Sequence, residues 1–386
     1  MRKLKSLGAG FLAFLCFAVI LHFTIVAAKP DPQGIGTWVD MHKDLSAAAI
    51  RNGLTDDTIM VMGSSEFQHG KGTIYHPTKL FRSRNIRAMF VGAAYNQCLS
   101  HAITLGSVAE GLKSKKVILI LSPAWFDGAG VKPHTFTVRF SESEYISLME
   151  NKEISDDLKN KIAARAEDLL KGQGGLYDNV RRYNAYYTRK GGLPLDGLFI
   201  WLKKCVLNEC EQISINTMWI CKGKKQYDED VKSAQYASMD ELYAKAEREW
   251  SGESSNRFHM RDSLYKKKFK RAAGNQSGSM ANRTYPVSSP EYGDLELFLQ
   301  VCREENIDVE VLLLPVNGWW YDEMGFGAEA RSVLPDQIKS VTDKYGAKWV
   351  SFFDHGYDDG FLEDVFHPAQ KGWLMINEKI MEFYQN

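Results

Sequence analysis

Apolar and polar residues alternate along this chain in two different rhythms. Five short runs, 58–62, 86–91, 117–121, 309–314 and 349–353, are mostly apolar, rich in branched side chains and closed by turn residues. Runs of that length and composition predict buried strands. Between them the apolar positions recur every three or four residues. Leu99, Ile103, Val108 and Leu112 do so within 96–112, and Leu295, Phe298, Leu299 and Cys302 within 295–304. Stretch 331–345 follows the same logic, as does 372–383, where Ile376, Ile380 and Phe383 align. That spacing predicts helices with one buried face. Strand alternating with helix predicts an α/β fold of three layers, a five-stranded parallel sheet covered on both sides by helices.

Two stretches depart from this rhythm. The third and fourth predicted strands are about 190 residues apart, far more than a crossover needs. The intervening insertion, about 128–290, is polar with helical patterns: Ser155-Asp156-Asp157 predicts a helix start ahead of 158–170, and 240–250 predicts a second helix. Residues 265–271 form a basic run with interleaved aromatics, and 272–289 is rich in Gly, Ser and Asn. Both ends of the insertion return to strands, so it reads as a lid or cap on the sheet. At the other extreme, Arg2, Lys3 and Lys5 precede a run over 7–28 with no Asp, Glu, Lys or Arg. Its length, about 22 residues, is close to the roughly 20 that cross the hydrocarbon core as a helix. The flanking cations predict a cytoplasmic N-terminus and place the rest of the chain outside. A cleaved signal peptide is the alternative, with Val26-Ala27-Ala28 as its cleavage site, but secretory apolar regions usually run roughly 7–15 residues. The organisation expected is a membrane anchor over 1–29 and an extracytoplasmic domain over 30–386.

Lys plus Arg and Asp plus Glu each number 48, so the formal net charge is zero. No global field draws the chain to nucleic acid. The six cysteines form no metal-ligand pattern, and Cys205, Cys210 and Cys221 cluster in the insertion as one disulfide or as free thiols. Gly34-Ile35-Gly36 lacks the strand and helix of a dinucleotide motif. Neither a metal nor a cofactor is expected.

Ligands of an open parallel sheet bind beyond the carboxyl ends of its strands, so the residues following each run carry the candidate chemistry. They are Gly63-Ser64-Ser65-Glu66, Gly92 through Gln97, Ser122 through Asp127, Pro315 through Trp320, and a turn-rich stretch ending in Asp364-Val365-Phe366-His367-Pro368. A serine hydroxyl needs a base to take its proton as it attacks. Histidine suits that task at neutral pH, and a carboxylate three residues before it can orient the ring. Backbone N–H groups near Ser65 and Gly92 lie in loops able to stabilise an oxyanion. Ser64 is the rival nucleophile. His76, Gln97, Trp125 and Asn317 are candidate substrate contacts.

Gly63-Ser64-Ser65-Glu66, Gly92 and Asp364-Val365-Phe366-His367 resemble the first, second and last blocks of the SGNH (GDSL-type) hydrolases. Nearly the whole chain resembles the DltD family of D-alanyl-lipoteichoic acid biosynthesis proteins. The matching stretches are the anchor, Gly63 to Glu66, Tyr75-His76-Pro77, Ser122 to Phe126, Phe361 to Pro368 and Gly372-Trp373. The resemblance implies Ser65 as nucleophile, His367 as base, Asp364 as orienting acid, and Ser65 with Gly92 at the oxyanion. The superfamily's Gly-x-Asn-Asp block is replaced here by Ser122-Pro123-Ala124-Trp125, so its Asn donor is missing; Gln97 and Asn317 are the candidates to replace it. The function implied is D-alanyl transfer to teichoic or lipoteichoic acid outside the membrane. The implied partners are a D-alanyl donor and a membrane-bound O-acyltransferase of the same pathway. The alternatives are a secreted cell-wall esterase or thioesterase and a non-catalytic partner of that acyltransferase.

Overall fold

The computed structural model describes residues 2–26, 30–189, 191–233 and 237–386. Five strands, β1 (Ile59–Gly63), β2 (Ala88–Gly92), β3 (Lys116–Leu121), β4 (Asp308–Leu313) and β5 (Lys348–Ser351), form one all-parallel sheet in the order β2-β1-β3-β4-β5. Each lies within about two residues of its predicted run. Successive side chains on a strand point to opposite faces, and along β1, β2, β3 and the second half of β4 both faces are buried, whereas the edge strand β5 is part-exposed. Met60, Met62, Val117, Leu119, Leu121, Val311 and Leu313 enter one apolar cluster. Ile59, Val61, Ile118, Ile120 and Leu312 enter the other. Such double burial explains why these runs lack the apolar–polar alternation of a half-exposed strand.

The helices that matter here are, in chain order, α1 (Arg2–Leu21), α2 (Pro77–Ser83), α3 (Cys98–Val108), α4 (Glu142–Glu150), α5 (Asp156–Leu170), α6 (Gly175–Tyr187), α7 (Pro194–Met218), α8 (Met239–Ser251), α9 (Pro290–Glu304), α10 (Val333–Tyr345) and α11 (Gln370–Gln385). Ser155 caps α5 by accepting from the Leu158 amide, and Ser238 with Glu241 forms a capping box on α8, so both predicted insertion helices begin at a polar cap. The basic run 265–271 is helical too, as a wide turn (Tyr265–Phe269) continued by Lys270–Asn275. A run of Lys side chains does not prevent this, because all are exposed to solvent.

The insertion is built into the core rather than laid over it. Tyr145, Ile146, Leu158 and Ile162 belong to the cluster on one sheet face, while Leu242 and Ala246 of α8 belong to the other beside Trp373, Leu374 and Ile376 of α11. All six cysteines are free thiols, Cys98 and Cys302 buried and the other four exposed. Ser6–Val26, with mean hydropathy 2.4, is long and apolar enough to cross a membrane.

The topology also locates the site. The chain leaves β1 towards β2 on one side and reaches β3 on the other, which opens a crevice between β1 and β3 at their carboxyl ends. Ser65 follows β1 there.

Candidate active site

Ser65 opens a single tight helical turn, Ser65–Gln68, directly after β1. It is part-exposed between a buried Ser64 and a buried Glu66. Glu66 accepts the Ser64 amide at 2.5 Å, and a Cβ at Gly63 would lie 2.1 Å from the same Glu66 oxygen. Any side chain at Gly63 would therefore displace the carboxylate that holds the Ser64 amide. Burial pushes the Glu66 carboxyl up to about 7, against the Ser64 amide bond that holds it down.

The partners of Ser65 arrive from a loop about 300 residues further on. Leu362 bridges Pro368, the Glu363 amide donates to the His367 carbonyl (2.9 Å), and the Ala369 amide donates to the Phe361 carbonyl (2.8 Å). Within this closed loop Asp364 accepts the amides of Phe366 (3.1 Å) and His367 (3.0 Å). The Asp-x-x-His spacing thus makes an Asx-type turn that brings the carboxylate under the imidazole. Asp364 Oδ2 lies 2.8 Å from His367 Nδ1, and His367 Nε2 lies 2.9 Å from Ser65 Oγ. Burial by itself would raise the Asp364 carboxyl. The His367 hydrogen bond and charge, with the two amides, outweigh it and hold Asp364 below the usual carboxylate range. An ionised carboxylate only accepts, so Nδ1 carries the proton and Nε2 presents its lone pair to the Ser65 hydroxyl.

The two serines are separated by their partners. Ser64 Oγ donates to the Ala93 carbonyl (3.1 Å), which ties the β1 loop to the β2 loop, whereas Ser65 Oγ meets the imidazole. Gly92 is close by for a reason of packing. It pairs with Gly63 in the sheet, and a Cβ on it would lie 2.5 Å from the Gly63 carbonyl oxygen. Its N–H, expected to face an oxyanion, donates instead to the buried Asp44 carboxylate at 3.0 Å. An amide already paired this way is not a ready oxyanion donor.

Of the four candidate substrate contacts, three are buried. His76 is fully buried, accepts from the Thr78 amide at the start of α2, lies 3.1 Å from the Phe67 carbonyl and meets the Trp373 ring edge-on. Burial lowers it to about 3, so it stays neutral and braces the loop between β1 and α2 from inside. Asn317 caps the turn after β4 through the Trp320 amide, donates to the Phe258 carbonyl (2.8 Å), and its own amide donates to Val365 (2.9 Å). Its buried side chain is thus engaged by Trp320 and Phe258, while its backbone N–H holds the Asp364–His367 loop. Trp125 packs in the core against His101, its ring centroid 6.3 Å away. Gln97 is part-exposed at the start of α3 and is the one left accessible.

Other residues complete the site. His69 stacks on His367, with ring centroids 3.6 Å apart and planes 7° apart, and pairs through Nδ1 with Glu363. Glu363 in turn accepts from Arg261 Nε (3.0 Å), and Arg261 reaches Gln370 (3.1 Å) and Glu253. The insertion thereby grips the loop that carries Asp364 and His367. Glu363 has a sequence signal in standing next to Asp364; Arg261 has none, since nothing in its surroundings sets it apart from other surface arginines. His69, Asp364 and His367 are near enough together to suggest a metal. Stacked imidazoles, however, aim their in-plane lone pairs side by side instead of at one point, which suits a tetrahedral cation poorly.

This constellation can be compared with known proteins. The family model described as "DltD protein" matches residues 35–385. The chain belongs to the DltD family. It is 27% identical over 402 residues to Protein DltD of Bacillus subtilis, covering 99% of this chain and 98% of that protein. It is 29% identical over 388 residues to Protein DltD of Staphylococcus aureus (97% and 93% covered), and 25% identical over 350 residues to Protein DltD of Lacticaseibacillus rhamnosus (88% and 80%). The match spans the β1 loop, the insertion and the Asp364–His367 loop alike, so this DltD-family chain is related along its length and not at a few motifs.

Proposed function

We propose that this protein transfers D-alanyl groups to teichoic acid through Ser65, outside the membrane. The DltD family is linked to D-alanylation of teichoic acid. The observation that carries the chemical step is the relay from Ser65 Oγ through His367 (2.9 Å) to Asp364 (2.8 Å).

In this reading His367 Nε2 removes the Ser65 proton as Oγ attacks the carbonyl carbon of a D-alanyl ester or thioester. The tetrahedral intermediate collapses, the donor's oxygen or sulfur leaves, and it takes the proton back from Nε2. D-alanine is then esterified to Ser65. A teichoic acid hydroxyl next gives its proton to Nε2 while attacking that ester, and Oγ leaves with the proton. The oxyanion donor retained is the Ser65 N–H, which opens a helical turn and has no partner within it. Asp364 stabilises the imidazolium formed in both halves.

Support for a polyanionic acceptor comes from the exposed run Lys266, Lys267, Lys268, Lys270 and Arg271. Phe269 within it packs on Trp320 (5.3 Å), in the turn beside Asn317 that braces the Asp364–His367 loop. Cations in that position suit a chain of phosphates. Ser6–Val26 would tether the domain to the membrane, where a membrane-bound O-acyltransferase is the fitting source of activated D-alanine. Hydrolysis is the second reading, favoured by the part-exposed Ser65, which water can approach.

The test uses the full chain in detergent or vesicles with a D-alanyl thioester and unmodified teichoic acid. Intact-mass spectrometry should find one alanyl adduct on Ser65, absent from S65A, and the polymer should gain alanine. Free D-alanine with an unchanged polymer would favour the esterase. No adduct on Ser65 under any donor would remove the catalytic reading.

A further inference from the structure

Helix α7 has two faces of opposite character. One packs on the protein: Ile200 and Ile215 are buried, and Lys203 and Lys204 pair with Glu142 (3.5 Å) and Glu150 on α4. The other presents Leu195, Leu198, Leu202 and Val206 at helical spacing with Trp201 at its margin, from 49% exposed at Leu202 to 74% at Leu195. A soluble protein rarely leaves so continuous an apolar stripe in water.

What covers the stripe is indicated by its neighbour. The outer end of the apolar N-terminal segment packs against this same helix. His22 lies 3.0 Å from Glu209, and Asn216 donates to the Ile25 carbonyl at 2.9 Å. Both contacts advance in the same chain direction, so the part of α7 before Glu209 leads back towards the middle of the segment. From Leu195 to Glu209 this is about 21 Å of helix at roughly 1.5 Å per residue. The apolar stripe ends where the contact with the segment begins, at the polar Glu209. Beside it, Arg182 of α6 stacks on Phe199 at 4.6 Å, and Arg181, Arg182 and Arg189 are each about half exposed. Apolar stripe, marginal tryptophan and flanking arginines are the features of a helix seated at a lipid surface.

We infer that α7 is a second membrane element, with Leu195, Leu198, Trp201, Leu202 and Val206 embedded in the outer leaflet beside the N-terminal span. The inference rests on the reading that Ser6–Val26 crosses the bilayer. Two attachments would fix the orientation of the domain on the membrane, where a single span would let it swivel. The occupant is the acyl region of the lipid, because a bilayer surrounds the outer end of any spanning helix and α7 is in contact with that end.

The experiment uses the full chain, with Cys16, Cys205, Cys210 and Cys221 replaced by serine, reconstituted into phosphatidylglycerol vesicles. Single cysteines at Leu198 and Leu202 carry an environment-sensitive fluorophore; Leu12 in the span and Lys348 on β5 serve as lipid and aqueous references. Brominated acyl chains should quench positions 12, 198 and 202 about twofold, with 348 unaffected and open to aqueous iodide. Quenching at 12 with 198 and 202 open to iodide would overturn the inference and leave the span intact. Quenching at 12 with 198 and 202 shielded from both quenchers would mean a protein covers the stripe, and would also overturn it. No quenching at 12 would remove the spanning reading and this inference with it.

Discussion

Replacing Asp364 by asparagine tests the relay at the point where geometry and protonation meet. The carboxamide would keep an oxygen for the Phe366 and His367 amides, now 3.1 and 3.0 Å from Asp364 Oδ1, so the turn should survive. Its NH2 would then occupy the Oδ2 position, 2.8 Å from Nδ1. Two donors cannot face each other, so the imidazole proton must move to Nε2. Nε2 would then point a proton at Ser65 Oγ, where the native ring offers a lone pair. The ring can no longer act as base, and the carboxylate that stabilises the imidazolium is gone. In the serine-protease template the same change costs roughly 10⁴-fold, which is about 5.4 kcal/mol of barrier at 1.36 kcal/mol per tenfold. The assay is the second-order rate of Ser65 modification by a fluorophosphonate, read by peptide mass spectrometry, which needs no knowledge of the natural donor. D364N should label roughly 10³- to 10⁴-fold more slowly, while remaining folded at neutral pH with a stability lower by no more than about 2 kcal/mol. Below the unfolded carboxylate range the stability difference should shrink. A depressed folded pKa stabilises above the unfolded value and loses that contribution as pH falls through the folded one. A D364N rate within tenfold of wild type, or a label on Ser64, would refute the assignment.

Three further outcomes are expected. G92A should be destabilised by about 2–3 kcal/mol, since its Cβ would meet the Gly63 backbone at 2.5 Å and neither strand can retreat; a calorimetric midpoint unchanged to about 1 °C would contradict this. Glu66, with its carboxyl raised to about 7 by burial, stabilises most when protonated. Wild-type stability should therefore fall by up to about 3 kcal/mol as pH rises from about 4.5 through about 7. E66Q should flatten that slope in urea titrations at pH 5 and pH 8, and an equal slope in both proteins would count against it. H69A removes the ring stacked on His367 and should slow fluorophosphonate labelling about tenfold through loss of ring placement, leaving the labelled residue the same. A rate equal to wild type would show that the stack does not position the base.

The alternation of five apolar runs with amphipathic helices, and the Asp-x-x-His turn, were legible from the chain because each depends on neighbours a few residues away. A strand buried on both faces must be apolar throughout, and a carboxylate three residues before a histidine can reach both the intervening amides and the ring. What the tertiary structure alone decided is direction. Ser64 and Ser65 are adjacent and chemically identical, yet one hydroxyl turns to Ala93 and the other to an imidazole 302 positions away. Gly92 lies beside the β1 loop, but a buried aspartate from residue 44 claims its amide. His76 and Asn317 have the chemistry of substrate contacts and are consumed as braces, and Arg261 reaches the site only because the insertion folds back onto the Asp364–His367 loop. Local pattern sets which elements form; which way a side chain faces, and which partner satisfies it, is set by burial and by hydrogen bonds closed across the whole fold.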